Sequence, residues 1–389
     1  MRERFNMHVA IDARIPNKGL GGVQQVLITM AQGFRSIPKS ELQRTWIVYS
    51  GTDWWHDFIP IDDQILETKS PFFGISIIFA SRFNKITSFL FPLIRLLFPD
   101  RVGLDDILRA HQVDVVHVPF QDGIRTNLPN IYQPHDLQHE YLPEFFSVLQ
   151  RRHRNRVWKA RAIDATKILV ASSLVAEDLT HFWQIPPSKI VIEPIPPPLR
   201  PAFVQESTNL NCPYIFYPAV FWQHKNHQNL IAAFAIMKKS GYEGKLLLSG
   251  APGPTEKLCR KKVASLGLND DVEFLGHLTE AKFSTLISNA ELVAIPSLFE
   301  AASLVAWDAQ RLKIPTAVSN IASFRNQNSD RSVYFDPTNP RSIASTILDC
   351  LSDTSQTKLM VESAANYCQS LHPTNYANSL LTLYLSLKN

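Results

Sequence analysis

The sequence predicts an α/β protein built from two doubly wound, parallel-sheet domains, and three observations carry that expectation. Short apolar runs such as Lys167-Ile-Leu-Val170 and Glu291-Leu-Val-Ala-Ile295 alternate with stretches of helical spacing, the order that builds parallel sheets. The alternation occurs twice, on either side of a proline-dense break at Pro194-Ile-Pro-Pro-Pro198, which places a domain boundary near residue 200. The chain has 389 residues, 45% hydrophobic and 19% charged, enough for two to three domains of ~150 residues with sizeable cores.

Composition also narrows the function classes. The formal charge of +4 is mild; it suits an anionic small ligand, and the chain lacks the basic stripe with interleaved aromatics that a nucleic-acid partner would need. Cys212, Cys259, Cys350 and Cys368 are scattered without disulfide-like or metal-like spacing and read as reduced thiols of a cytoplasmic protein. No Asp-x-Asp constellation suggests a metal site. The N-terminal residues lack the apolar core of a signal peptide.

In chain order, Met7-His-Val-Ala-Ile-Asp12 is a strand, followed by a loop ending in Gly21-Gly22 and a helix with Val23, Val26, Leu27 and Met30 on one face. A glycine pair before a helix either serves a turn or lets backbone amides approach an anion. Thr45 to Tyr49 is a strand. Residues 72–99 are apolar and aromatic but broken by Arg82, Lys85, Pro92 and Arg95, too short of the ~20 apolar residues of a spanning helix. They read as a buried helix pair or as a surface lying on a membrane. Val113 to Val118 and Asn130 onward are strands, the second ending at His135-Asp136; a lone histidine there is more often a hydrogen-bonded loop residue than a functional one. Arg151-Arg-His-Arg-Asn-Arg156 is a basic run on a helix, with a solvated face as its usual explanation and an acceptor phosphate or membrane contact as the other. A strand at Lys167, a helix from Ser173 to Trp183 and a strand at Lys189 close the first half.

Tyr214 to Phe221 opens the second half as a strand, followed by the loop Trp222-Gln-His-Lys225 and a helix. Further strands run from Lys245 and from Asp271, the latter ending at His277-Leu278. Glu291 to Ile295 leads into Pro296-Ser-Leu-Phe-Glu300-Ala-Ala-Ser303-Leu304 and a helix carrying Asp308. Ligands of open α/β sheets bind at this carboxyl edge, where a helix start offers free N–H groups to an anion.

Two acids at that spacing could equally be a loop acid and a helix-dipole partner. However, Pro-Ser, then an acid, seven residues and a second acid (Glu300, Asp308) resembles the signature of retaining glycosyltransferases of the GT-B fold, family 4 (glycosyl transferases group 1). His135-Asp-Leu-Gln-His139 followed by Pro143-Glu-Phe-Phe146 closely resembles the same family. The resemblance is light over the first ~130 residues and close from His135 onward. It implies two Rossmann-like domains facing an interdomain cleft: an acceptor-side domain over 1–200, a nucleotide-sugar domain over 201–370, and a C-terminal helix, 371–389, packing back on the first. It implies catalytic roles for His135 and Glu300, with His139 as a second polar contact. Donor contacts would come from Gly21, Gly22, Lys225, His277, Leu278, Ser303, Leu304 and Asp308, the last on the ribose. No cofactor is implied beyond the nucleotide diphosphate sugar itself; the partners are that donor and a glycan or lipid-linked acceptor, met in the cytoplasm or, on the membrane-surface reading of 72–99, at the inner face of the membrane. The sequence departs from the family at Val220 (an arginine that clamps phosphate), at Ala301-Ala302-Ser303 (a glycine-rich loop), at Asp308 (commonly Glu) and at Ser323 to Gln327 (a Pro-Glu turn). These departures keep open a catalytically inactive relative that binds a nucleotide sugar or serves as a partner subunit; an epimerase or phosphorylase of the same shape lacks its own marks here.

Overall fold

The computed structural model describes residues 7–15, 21–68, 104–200 and 212–388. The 72–99 stretch and residues 16–20 of the loop before Gly21 lie outside the described residues. The chain divides into two compact units, Met1–Pro198 with His372–Asn389, and Leu199–Leu371.

Among the described residues the first unit holds seven strands: β1 (Met7–Asp12), β2 (Leu42–Tyr49), β3 (Gln64–Thr68), β4 (Val115–Val118), β5 (Asn130–Tyr132), β6 (Lys167–Val170) and β7 (Ile190–Ile192). They pair in parallel in the order β3-β2-β1-β4-β5-β6-β7. The winding direction therefore reverses between β1 and β4, the switch point of a doubly wound sheet. Every residue of β1 is buried, as a strand covered on both faces requires. β3 escapes a reading of the sequence because it is an edge strand with half-exposed residues and little apolar signal. The basic run forms a helix, Val148–His153, that opens into a π turn at Arg154–Trp158 before continuing as Lys159–Asp164.

The C-terminal helix Pro373–Leu385 belongs to this unit. It buries Tyr376, Ala377, Leu380 and Tyr384 in the core shared with Phe34 and Trp46. Gly33 permits the approach, because a Cβ there would lie 2.2 Å from the Pro373 carbonyl oxygen. The Tyr384 hydroxyl donates to His117 Nδ1 at 2.7 Å, and the other ring nitrogen donates to Gln133 Oε1 at 3.1 Å.

Among the described residues the second unit has six parallel strands: β8 (Tyr214–Pro218), β9 (Lys245–Ser249), β10 (Val272–Gly276), β11 (Leu292–Ile295), β12 (Thr316–Ser319) and β13 (Val333–Phe335). Their order is β10-β9-β8-β11-β12-β13, so this switch point falls between β8 and β11. Phe216, Leu247, Leu248 and Val293 are among its buried core residues. Gly250 is the one residue type that fits after β9: φ is +145°, and a Cβ would meet the Ala219 oxygen at 2.3 Å. Among the described residues no helix is long and apolar enough to cross a membrane.

Candidate functional site

The loops leaving β8 and β11 are stapled together by buried polar groups. Tyr217 OH donates to the Lys225 carbonyl at 3.0 Å and lies 3.2 Å from Ser297 Oγ. Asn226, held at φ +58°, donates from Nδ2 to the Pro296 carbonyl (2.9 Å) and the Pro337 carbonyl (2.7 Å). Leu298 N donates to the His224 carbonyl at 2.7 Å. Behind the loop His227 stacks on Phe221, and burial pushes its pKa down to about 3, so it is a neutral packing group.

These contacts bring Lys225 and Glu300 together: Nζ lies 2.5 Å from Oε1, which also accepts from Ser297 Oγ at 2.7 Å. The two side chains keep 21% and 11% of their surface exposed, so the pair is sheltered yet reachable. Three residues on, Ser303 caps the helix Leu304–Arg311, its Oγ accepting from Ala306 N at 3.4 Å. The Ser303 amide is already committed, donating to Gln327 Oε1 at 2.7 Å, while Gln327 Nε2 returns a bond to the Ser303 carbonyl at 2.8 Å. The N–H groups of Leu304 and Val305 lie in the first turn, where the helix itself offers no acceptor.

Asp308 sits one turn further in, buried, with Oδ2 accepting from Arg200 Nη2 at 2.6 Å. Arg200 also pairs with Glu280, and its guanidinium lies over the Phe283 ring at 4.3 Å. Burial raises the Asp308 pKa, and Arg200 pulls it back toward the carboxylate. His277 is exposed and Leu278 half-buried, just past Gly276 at the carboxyl end of β10. Glu280, at the start of the next helix, links that loop through Arg200 to Asp308. The structure thus joins Lys225 directly to Glu300, sets Ser303 and Leu304 at the end of the Glu300 loop, and joins Asp308 through Arg200 to Glu280 beside the His277 loop.

The other predicted residues lie in the first unit. Gly21 (φ +40°) and Gly22 start the helix Gly22–Phe34, with open space where a Cβ would stand. His135 is half-buried after β5, and its Nε2–H donates to the Pro119 carbonyl at 2.8 Å. Asp136 does not orient it by a hydrogen bond; its Oδ1 accepts from Gln138 N at 3.0 Å. Burial lowers the His135 pKa, so near neutral pH the ring is uncharged with Nδ1 as acceptor. His139 is buried, with Nε2 donating to Asn155 Oδ1 at 2.9 Å.

Reading the sequence does not single out Arg200, Tyr217 or Asn226, and it marks Gln327 only as the end of a turn that departs from the family. Their roles arise from contacts up to 111 residues apart in the chain, and only the charge of Arg200 beside a proline run was visible as a signal. A cavity of about 710 Å³ in the first unit, lined by Arg125, Tyr132, Arg161 and Asp164 among others, contains none of the predicted residues. Its Arg125 and Asp164 are ion-paired at 2.5 Å. Among the described residues no group of three or more His, Cys, Asp and Glu side chains is arranged to hold a metal ion.

Comparison with known proteins bears on this arrangement. Residues 201–367 match the family described as Glycosyl transferases group 1, and residues 67–196 match Glycosyltransferase Family 4. The uncharacterized glycosyltransferase YqgM of Bacillus subtilis is 26% identical over 204 residues, 52% of this chain and 56% of that protein, so the match spans little more than half of the relative's length. Sucrose-phosphate synthase of Thermosynechococcus elongatus superposes with a TM-score of 0.73 at 16% identity, covering 98% of this chain and 99% of its own. Anabaena Alr3699/HepE, solved in complex with UDP and glucose, gives 0.70 at 15% identity over 98% and 100%. At such identities the likeness speaks to the fold alone, two parallel-sheet Rossmann-like domains of the GT-B type.

Proposed function

This chain belongs to the glycosyl transferases of group 1, and on that premise we propose that it moves a sugar from a nucleoside diphosphate donor to an acceptor hydroxyl, with retention and without a metal ion. The observation that carries the reading is the Lys225–Glu300 pair at the carboxyl edge of the second sheet, next to a helix start. When the bond from the sugar to the diphosphate breaks, negative charge gathers on the leaving phosphate. Lys225 Nζ and the Leu304 and Val305 amides are the groups we assign to that charge. A diphosphate that takes the ammonium leaves the Glu300 oxygens to accept from sugar hydroxyls. Asp308 is assigned to the ribose diol, His277 and Leu278 to the base, and His135 with Glu300 to orienting the sugar. Gly21 and Gly22 are assigned to close backbone approach to the donor. The acceptor is a glycan or lipid-linked glycan of cell-envelope synthesis in this reading, and the UDP complex of the Anabaena protein makes uridine diphosphate sugars the first donors to try.

A thermal-shift panel of nucleoside diphosphates and their sugars tests it, since a ligand at ~100 times its Kd stabilises the folded state by about 2.7 kcal/mol. Lys225→Ala and Glu300→Ala are each expected to lower kcat/KM by about 10²–10³-fold while the fold persists; near-normal transfer by either variant removes that residue from the mechanism. One observation favours a second reading, a relative that binds nucleotide sugar without turnover: the Ser303 amide and the Asp308 carboxylate already have partners inside the chain. Saturable nucleotide binding with neither donor hydrolysis nor transfer would select it.

A further inference from the structure

The basic run Arg151–Arg156 reads from its sequence either as a solvated face or as a contact for an acceptor phosphate or a membrane, and one member is held unlike the others. The guanidinium of Arg154 lies 4.2 Å over the Phe146 ring and 4.4 Å over the Trp158 ring. Trp158 is itself fixed, buried and donating from Nε1 to Asp122 Oδ1 at 3.0 Å. The stretch between them is the π turn Arg154–Trp158, a local widening of the helix that often marks a functional position. Upstream, a capping box between Ser147 and Gln150 locks the first turn (2.8 and 3.2 Å). Next to Arg154, Asn155 Oδ1 accepts from His139 Nε2 at 2.9 Å and Trp183 Nε1 at 3.2 Å, so the backbone carrying Arg154 is held from both sides.

Among the described residues no carboxylate comes within ion-pair distance of Arg154. The two acids that act on it electrostatically, Asp136 and Asp122, have other bonds: Asp136 accepts from Gln138 N, and Asp122 takes Trp158, with His153 at 3.5 Å and Arg161 at 3.6 Å. Burial lowers the Arg154 pKa more than those acids raise it, the mark of a desolvated cation whose charge is only partly matched. With aromatic rings against the guanidinium, its in-plane N–H edge remains for a ligand, and that edge matches two oxygens of an oxyanion.

We propose that Arg154, braced by Phe146 and Trp158, is the anchor of a phosphate-binding site on the first unit that receives the phosphate group of the acceptor. What the phosphate is attached to rests on the glycosyltransferase reading; the site itself does not. The phosphate comes either on a soluble sugar or on a lipid. Val148 and Leu149, on the helix leading into the π turn, are 52% and 42% exposed and would lie against the chain region of a lipid.

The test uses the full chain with inorganic phosphate as probe, in wild type, Arg154→Gln, Arg154→Lys and Lys225→Ala, each checked by circular dichroism. The expected result is phosphate binding that persists in Lys225→Ala and falls by about tenfold or more in Arg154→Gln. Arg154→Lys, which keeps the charge but not the planar edge, is expected to fall between the two. Phosphate binding unchanged in folded Arg154→Gln, or present in wild type and wholly lost in Lys225→Ala, overturns the proposal. Sedimentation with phosphatidylcholine vesicles, with and without phosphatidic acid, separates the sources. Arg154-dependent binding to the phosphatidic acid vesicles assigns the phosphate to a lipid, and Arg154-dependent binding of free phosphate alone assigns it to a soluble acceptor. A protein that binds phosphate at Arg154 but turns over no donor would sink the transferase reading and leave this site standing.

Discussion

Replacing Arg200 by methionine is the sharpest perturbation the second unit offers. The Arg200 and Asp308 side chains are 14% and 4% exposed, so their 2.6 Å pair is largely out of water. Removing one partner of a buried pair costs about 3–5 kcal/mol, because the remaining charge stays desolvated. Methionine keeps a long apolar side chain but gives up the guanidinium that lies over Phe283, a stack worth about 1 kcal/mol, which leaves the buried charge as the larger variable. The lost contact to Glu280, whose side chain is 48% exposed, contributes at most about 1 kcal/mol.

The pH dependence has a definite sign. Asp308 already has a pKa raised by burial above 3.8, with Arg200 pulling it down. Without Arg200 the folded-state value rises further. A carboxyl whose folded pKa exceeds its unfolded one loses stability as pH rises from the unfolded value through the folded one. Arg200→Met is therefore expected to be about 3 kcal/mol less stable than wild type near neutral pH, with the deficit shrinking as pH falls toward about 4. Hydrogen exchange of the Leu304–Arg311 helix amides reads this locally, which matters because a two-unit chain need not unfold in one step. A deficit below about 1 kcal/mol, or one equally large at both pH values, would refute a buried, charge-compensating role for Arg200.

Three further outcomes are expected. His117, held neutral between Tyr384 and Gln133, has its pKa lowered by burial to about 4. Its contribution, about 3 kcal/mol, is complete above the unfolded value of 6.5 and is lost as pH falls from there to about 4; thermal melts should show the first unit weakening across that window, and a His117→Asn variant should flatten that part of the slope. Tyr384→Ala should cost about 3–5 kcal/mol and expose the C-terminal helix to proteolysis, while Tyr384→Phe, which leaves His117 Nδ1 without its donor, should cost about 1–3. Glu300→Gln removes the counter-charge of Lys225, so it should bind nucleoside diphosphate more tightly by calorimetry while losing transfer; weaker binding would contradict the pairing argument.

The sheets were legible because parallel strands covered on both faces must be continuous apolar runs, and Leu292–Ile295 and Lys245–Ser249 are written that way. β3 was not, since an edge strand needs no such run. Within the candidate site, Lys225 and Glu300 could each be named from a local motif, but their meeting could not. It depends on Tyr217, Ser297 and Asn226 stapling two loops 75 residues apart, and spacing carries no trace of a contact between distant turns. Arg154 shows the converse: charge pattern left its run between a solvated face and a phosphate or membrane contact, and only the π turn with its two aromatic neighbours sets this one arginine apart.

The charged and polar groups that the sequence motif ties to the donor share one arrangement. Lys225 faces Glu300, Asp308 faces Arg200, and the Ser303 amide faces Gln327. A sheltered charge without a partner is costly, so a site shaped for an anionic diphosphate and a neutral diol is stable alone only if the chain supplies counter-groups. Ligand binding then becomes an exchange of partners and not a simple addition. In the proposed reading the diphosphate would displace Glu300 from Lys225, and that displacement would make the carboxylate available to the sugar. Because Lys225 and Glu300 sum to zero charge, long-range steering of the donor by this pair is weak, and discrimination falls to short-range geometry. A donor that brings a diphosphate without a suitably placed sugar hydroxyl would free Glu300 and leave it unpaired, so on the proposed assignment the pair that would hold the leaving group would also weigh the sugar attached to it.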